Sequence, residues 1–365
     1  MSVKTLGFIG LGLIGGSIVK TVKRIYPDIR IIARSGRQTT ITQAFEERLI
    51  ENKENALITD FADCDVIFLC TPVQQNLSYL CQLKTVIKPS CILTDVGSVK
   101  GDIHRAVTMQ GLDSYFIGGH PMAGSEKTGL SYATAHLLEN AYYILTPTPL
   151  VNKYKVLEFT EFIRSLGAIP LIFESGAHDT ATAAISHLPH VIAAALVNFV
   201  RQSDDDAQNM KTIAAGGFKD ITRIAASSPV MWEEICLSNR EKLLFALDDY
   251  QNCLSQIRAD IAASNAAGIR SFFQSAKNYR DSLAVSPAHG ARTVFELYCD
   301  LMDKTGEIAT VAAILAKECI NIKNIGIIHN REFEEGVLKI ELYDQKAYDS
   351  AITLLQKYSY TVYER

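Results

Sequence analysis

Gly10-Leu11-Gly12-Leu13-Ile14-Gly15 decides how the rest of this chain is read. The stretch follows an apolar β-branched run, Val3–Ile9, and opens a helical pattern. The three glycines serve different ends. Gly10 permits a tight turn, Gly12 lets a pyrophosphate approach the backbone, and Gly15 lets the helix pack closely on the strand. The free N–H groups of the helix N-terminus, around Leu13 and Ile14, then face the phosphates. The bland alternative is a glycine-rich turn with no ligand. Its place at the start of a strand–helix–strand unit favours a dinucleotide.

Outward from this turn, β-branched runs alternate with helical patterns. Strands are expected at Val3–Ile9, Ile29–Ala33, Val66–Cys70, Cys91–Val96, Tyr115–Gly118 and Ala141–Leu145. That alternation argues for a parallel sheet covered by helices over residues 1–172. Thr71 and Pro72 follow the third strand and are candidate cofactor contacts. Where NAD enzymes commonly carry an acid after the second strand, this chain has Arg34, Ser35 and Arg37. No carboxylate is there to repel a 2′-phosphate, so the local residues favour NADP over NAD, unless the arginines are only surface charges.

The remainder falls into two regions. Residues 173–285 show no convincing strand. Thr180–Val200 reads as a helix apolar nearly all round, interrupted at Pro189, and Pro229 begins another. A helix apolar all round must be buried, and a region this small has little interior, so an intertwined homodimer is expected. A linker around Pro287 and Gly290 leads to residues 293–365, whose pattern is βαββαβ.

The chain has 365 residues, 48% hydrophobic and 21% charged, with a formal net charge of −4. This composition excludes disorder and a disulfide miniprotein, and gives no reason to expect nucleic acid or an anionic membrane as partner. Uninterrupted apolar stretches fall short of the ~18 residues of a spanning helix. Leu6–Val19 mimics a signal peptide, but its glycine spacing and the lack of a small-x-small cleavage site argue against one. Eight cysteines with no C-x-x-C pair fit free thiols and a cytoplasmic location.

The chemistry-bearing residues lie further along. Asp95-Val-Gly-Ser98-Val-Lys100 ends one strand and Gly118-Gly119-His120-Pro121 ends another, at the edge where such sheets bind ligands. A histidine between glycine and proline in a loop is poorly placed for a core, so His120 is a candidate for chemistry. His187 and His190 share a helix face, and substrate contact is favoured over zinc or packing because no third ligand is evident. Lys219 and Arg223 are four apart and face one ligand if helical, with Arg223 the better fork for a carboxylate. The alternative is a solvated basic face. Asp204–Asp206 reads as a solvated turn, and His104, His136, His178, His289 and His329 read as ordinary residues.

Taken together, GFIGLGLIGGS, DVGSVKG, GGHPMAGSE, SHLPH and GGFKDITRIAASSPVMW resemble the prephenate dehydrogenase (TyrA) family. The third region is similar to an ACT domain, with Thr305-Gly306 where Pro-Gly is frequent. The resemblance implies an α/β Rossmann domain (1–172), an all-α dimerisation domain (173–285) and a βαββαβ ferredoxin-like ACT domain (293–365). It implies oxidative decarboxylation of prephenate to 4-hydroxyphenylpyruvate in tyrosine biosynthesis, with reduction of NAD or NADP and no metal. His120 would take the proton of the ring hydroxyl, Ser98 would position that hydroxyl and the nicotinamide, and Arg223 would bind a substrate carboxylate. His187, His190 and Lys219 would line the pocket, with Glu126 near its entrance and Trp232 where the dimer completes it. Tyrosine is the natural effector, with Gly306, Asn321 and Asn324 as candidate ligand-loop residues; a ligand-free dimerisation module is the alternative. Arogenate dehydrogenase, a β-hydroxyacid dehydrogenase and a non-catalytic dinucleotide sensor are the rival readings.

Overall fold

A computed structural model of the chain describes residues 3–124, 127–283, 295–301, 304–328 and 336–364. It forms two compact units, residues 1–256 and 257–365.

The first unit begins with β1 (Thr5–Ile9), α1 (Leu13–Ile25), β2 (Arg30–Arg34), α2 (Gln38–Glu46), β3 (Val66–Leu69), α3 (Val73–Leu83) and β4 (Ile92–Asp95). Their strands make a parallel four-stranded sheet in the order β2-β1-β3-β4. Side chains alternate across it, as the two-residue period of a strand requires. Leu6 and Phe8 join Ile18, Val22 and Phe68 in one core, whereas Ile9, Ile67 and Leu69 join Phe61 and Leu93 in the other. Both faces are therefore buried, which is why these strands read as continuous apolar runs.

α4 (Gly101–Gln110) leads to β5 (Ile117–Pro121), tied to β4 by a parallel bridge between Leu93 and Phe116. β6 (Tyr142–Pro147) then pairs antiparallel with β5, α5 (Lys153–Ser165) crosses back, and β7 (Ile169–Ile172) pairs parallel with β6. The sheet is thus not wholly parallel. Among the described residues of the β5–β6 connection there is only a short 3-10 turn, Leu130–Tyr132, so β6 returns beside β5 without a crossover helix. β7 is a strand that the sequence pattern did not reveal, because Pro170 interrupts it. At a sheet edge the missing N–H costs nothing.

Residues 175–256 of this unit are helical. α6 (Ser175–Thr182) and α7 (Leu188–Ser203) join through a single π-helical segment, Ala183–His187. The helix is not broken at Pro189. The wider turn just ahead of it absorbs the proline, a role for which π segments are suited. α8 (Asn209–Ile213), α9 (Gly216–Thr222), α10 (Pro229–Ser238) and α11 (Arg240–Ala262) follow. α10 starts at Pro229 and is capped by Ser228, whose hydroxyl accepts from the Met231 amide. In α7 only Ala193 is buried.

The second unit holds α12 (Ala266–Leu283), then β8 (Phe295–Leu301), α13 (Glu307–Lys317), β9 (Ile322–Ile328), β10 (Gly336–Leu342), α14 (Gln345–Lys357) and β11 (Val362–Glu364). The four strands form an antiparallel sheet in the order β11-β8-β10-β9, with Leu297, Cys299, Leu338 and Ile340 packed on Val311, Leu315 and Leu355 of its helices. This is the βαββαβ arrangement expected from the pattern.

Candidate active site

The glycine turn sits where β1 ends. Gly10 has φ +102, and a Cβ there would lie 2.7 Å from the Cys70 carbonyl. At Gly15 a Cβ would lie 2.5 Å from the Gly10 oxygen and 3.0 Å from the Cys70 side chain. The protein itself therefore demands glycine at both positions. Gly12 differs: it has an ordinary φ of −88, and a Cβ there would meet nothing within 4 Å. Nothing in the fold explains the missing side chain, whereas the close approach of a dinucleotide pyrophosphate does. No side chain caps α1, which leaves the first amides after Gly12 open to an anion. The residues present fit a bound dinucleotide.

Across the crevice, the Thr71 hydroxyl donates to Asn76 Oδ1 at 2.5 Å, and Pro72 precedes α3. At the end of β2, Asn52 Oδ1 accepts from the Ala33 amide and Asn55 Oδ1 from the Ser35 amide, each at 2.8 Å. Arg34 donates to the Ala56 carbonyl at 2.8 Å, and Arg37 is exposed at the start of α2.

The carboxyl ends of β4 and β5 are locked together. Lys100 is fully buried, and its ammonium donates to Asp95 Oδ2 at 2.5 Å and to the Gly119 carbonyl at 2.7 Å. Asp95 in turn accepts from the amides of Gly97 and Gly119. Half-buried Ser98 lies in the loop between Asp95 and Lys100, so this pair fixes the Ser98 loop against the strand that carries His120. Burial pulls the Lys100 pKa down, opposed by the Asp95 carboxylate.

His120 ends up on β5 itself, 9% exposed, rather than in a loop. Its Nδ1 lies 2.8 Å from His178 Nε2, and His178 Nδ1 lies 2.8 Å from Asp179 Oδ1. Asp179 also accepts from the amides of Lys100 and Gly101, at 2.8 Å each. Burial would raise its pKa, but the His178 hydrogen bond and the two amides outweigh it, and the carboxyl sits below its usual range. An ionised Asp179 only accepts, so His178 Nδ1 donates to it. Neutral His178 then accepts at Nε2, and His120 donates from Nδ1. The lone pair of His120 is thereby directed to Nε2, which has no partner among the described residues. Burial, with the Lys100 ammonium behind it, pushes the His120 pKa well below the usual histidine range. His178, read as an ordinary residue from sequence, is thus the direct partner of His120.

A second layer comes from the helices. His187, on the π segment and 1% exposed, accepts at Nδ1 from Asn239 Nδ2 at 3.1 Å. The same Asn239 amide donates to the Asp179 carbonyl at 2.8 Å. Burial lowers the His187 pKa to about 4. His190 donates from Nδ1 to the Ser186 carbonyl at 2.8 Å and stacks on the Trp232 indole, with ring centroids 3.9 Å apart. Trp232 also meets His187 edge-on at 6.0 Å, and its buried indole N–H has no partner among the described residues. The structure therefore gathers His187, His190 and Trp232. Lys219 and Arg223 do not share one regular helix: Lys219 is on α9, Arg223 starts the 3-10 turn after it, and both are exposed. Glu126 lies outside the described residues. Sequence reasoning missed His178, Asp179 and Asn239, and gave Asp95 and Lys100, quoted in the strand-end segment, no role of their own. The Asp95–Lys100 spacing was visible in the loop, whereas no local signal marked the others.

The fold and the site define a class: a dinucleotide-dependent oxidoreductase with a buried histidine at the carboxyl edge of its sheet. Similarity to known proteins narrows it. The family model for the prephenate dehydrogenase nucleotide-binding domain matches residues 18–170, and that for the prephenate dehydrogenase dimerization domain matches residues 174–275. The chain is 37% identical to a Bacillus subtilis prephenate dehydrogenase over 92% of this chain and 91% of the relative. A crystal structure of prephenate dehydrogenase from A. aeolicus, in complex with hydroxyphenyl propionate and NAD+, is 28% identical. It aligns with a TM-score of 0.72 over 78% of this chain and 99% of its own. The Synechocystis arogenate dehydrogenase structure is 31% identical, with a TM-score of 0.69 over 76% and 99%. The chain belongs to the prephenate dehydrogenase family, whose members are NAD-dependent oxidoreductases.

Proposed function

We propose that this chain oxidises and decarboxylates prephenate to 4-hydroxyphenylpyruvate. The observation that carries the reading is His120: buried, held neutral, and with its free lone pair on Nε2. Gly10, Gly12 and Gly15, with the amides of Leu13 and Ile14, cradle the dinucleotide, and Thr71, Pro72 and Ser98 face it from the neighbouring strand ends. A bound nicotinamide supplies the hydride acceptor. His120 takes the ring hydroxyl's proton as positive character builds on that carbon, and Ser98 orients the hydroxyl. Loss of CO2 from the opposite ring carbon then restores aromaticity. Arg223 pairs with a substrate carboxylate, and Lys219, His187, His190 and Trp232 line or organise the rest of the pocket.

The cofactor reading favours NADP, because the end of β2 carries Arg34 and Arg37 and is braced by asparagines rather than a carboxylate. Comparing kcat/KM for the two cofactors tests it; a strong NAD preference removes the idea. Arogenate differs from prephenate in its side chain, away from the ring hydroxyl, so both substrates belong in the same assay. Turnover of arogenate alone reassigns the substrate.

The reading extends to assembly and control. Ser175–Ser203 is long and apolar enough to cross a membrane by length and composition, yet only 17% of its most apolar window is buried. Burial against a second copy of the chain accounts for it, in a cytoplasmic homodimer. In the second unit, a cavity of about 780 Å³ is lined by Lys304, Gly306, Glu307, Lys323 and Asn324. Its charged rim and apolar floor suit an amino acid, and tyrosine is the proposed effector of this ACT-like module. Asn321 does not join this group. It lines a different cavity, beside Tyr343 and Asp344.

A further inference from the structure

His120 is a poor resting place for the proton it removes. It is almost fully buried, the Lys100 ammonium is close, and its pKa is pushed well down. His178 is better provided. It lies in van der Waals reach of His120, with rings at 73° and centroids 5.1 Å apart, and it bonds an ionised carboxylate on its far side. That carboxylate is itself held by two backbone amides, so it does not swing away. The charged and titratable groups facing the pair are Lys100 at the start of α4, Asp179 on α6 and His187 on the π segment.

We propose that His178 and Asp179 form a relay in which the charge of the abstracted proton passes through His120 and is carried by His178. The proposal rests on His120 being the base. The substrate O–H bond breaks as an Nε2–H bond forms on His120. The Nδ1–H bond of His120 breaks as an Nε2–H bond forms on His178. The electrons of the O–H bond make the ring carbonyl while the carbon's hydride leaves to the nicotinamide. His120 stays neutral throughout, and the imidazolium forms beside the Asp179 carboxylate. When CO2 leaves, its bonding electrons restore the aromatic ring and turn the carbonyl into a phenolate, which takes back the Nε2 proton of His120 as the proton on His178 returns to His120 Nδ1; 4-hydroxyphenylpyruvate is complete and both histidines are restored. His178 touches no substrate, so it is a positioning residue that also holds the proton.

His178→Gln separates the two roles. Its amide oxygen can accept from His120 Nδ1 and preserve the tautomer, but it cannot take a proton. Hydride-transfer rates are measured in single turnovers of the full-length enzyme with prephenate and its preferred cofactor, in mixtures of H2O and D2O. The wild type is expected to give a curved proton inventory, from two protons in motion. His178→Gln is expected to give a linear one, with kcat lower by roughly tenfold or more and KM within about twofold. A linear wild-type inventory overturns the relay, and this arm needs no variant. So does a well-folded His178→Gln with wild-type kcat. His120→Asn separates the layers: if it retains full turnover, the base assignment itself falls, whereas an inactive His120→Asn beside an unaffected His178→Gln removes the relay alone.

Discussion

An imidazole 9% exposed has lost the hydration its cation needs, and this governs how His120 responds to pH and to substitution. A base must be neutral to act. With its pKa depressed, His120 remains neutral through pH 6.5, so kcat should hold through that point and fall only in more acidic solution. A kcat profile that breaks near the ordinary histidine pKa contradicts the burial argument. His120→Asn keeps a polar side chain but loses the base, and kcat should drop by roughly 10²–10⁴. His187 adds a stability effect with a defined sign. Its folded pKa of about 4 lies below the unfolded value, so the unfolded chain binds the proton first. Stability should be full above about pH 6.5 and decline as pH falls from there towards 4, read as a falling urea midpoint. At this scale His120 was legible, because glycine and proline around a histidine are visible in sequence. His178 was not: its partner is 58 residues away, and nothing about His-Asp at a helix start announces that contact.

The glycine turn shows how an element divides its duties between fold and ligand. Gly15→Ala drives a Cβ into the Gly10 oxygen, and overpacking of this kind costs about 1–3 kcal/mol. Its Tm should fall. Gly12→Ala meets no atom within 4 Å, so Tm should be unchanged while cofactor affinity falls by roughly tenfold or more, about 1.4 kcal/mol per decade. Calorimetry on both variants checks the pair; a Gly12→Ala protein that binds cofactor like the wild type contradicts the cradle. The strands buried on both faces were legible as apolar runs. β7 was not, since Pro170 hides a strand that only its edge position permits. Nor was the π segment, because periodicity cannot distinguish a widened turn at Pro189 from a helix end.

Across the whole molecule the apolar α6–α7 helix is the clearest sign of a partner. Sedimentation at micromolar concentration should give a dimer, and charged substitutions at exposed Ile185 and Phe199 should shift it towards monomer. The order of sheet, helices and small antiparallel sheet was legible from the alternation of patterns. The antiparallel turn of β5 and β6 was not, because it depends on how the chain returns rather than on either strand's composition. The net charge of −4 decides little for an anionic substrate and cofactor. The most direct test is turnover of prephenate by the purified full-length chain, supplied with NAD or NADP. The predicted result is one 4-hydroxyphenylpyruvate released per cofactor reduced, lost in His120→Asn; no prephenate-dependent reduction with either cofactor contradicts the account.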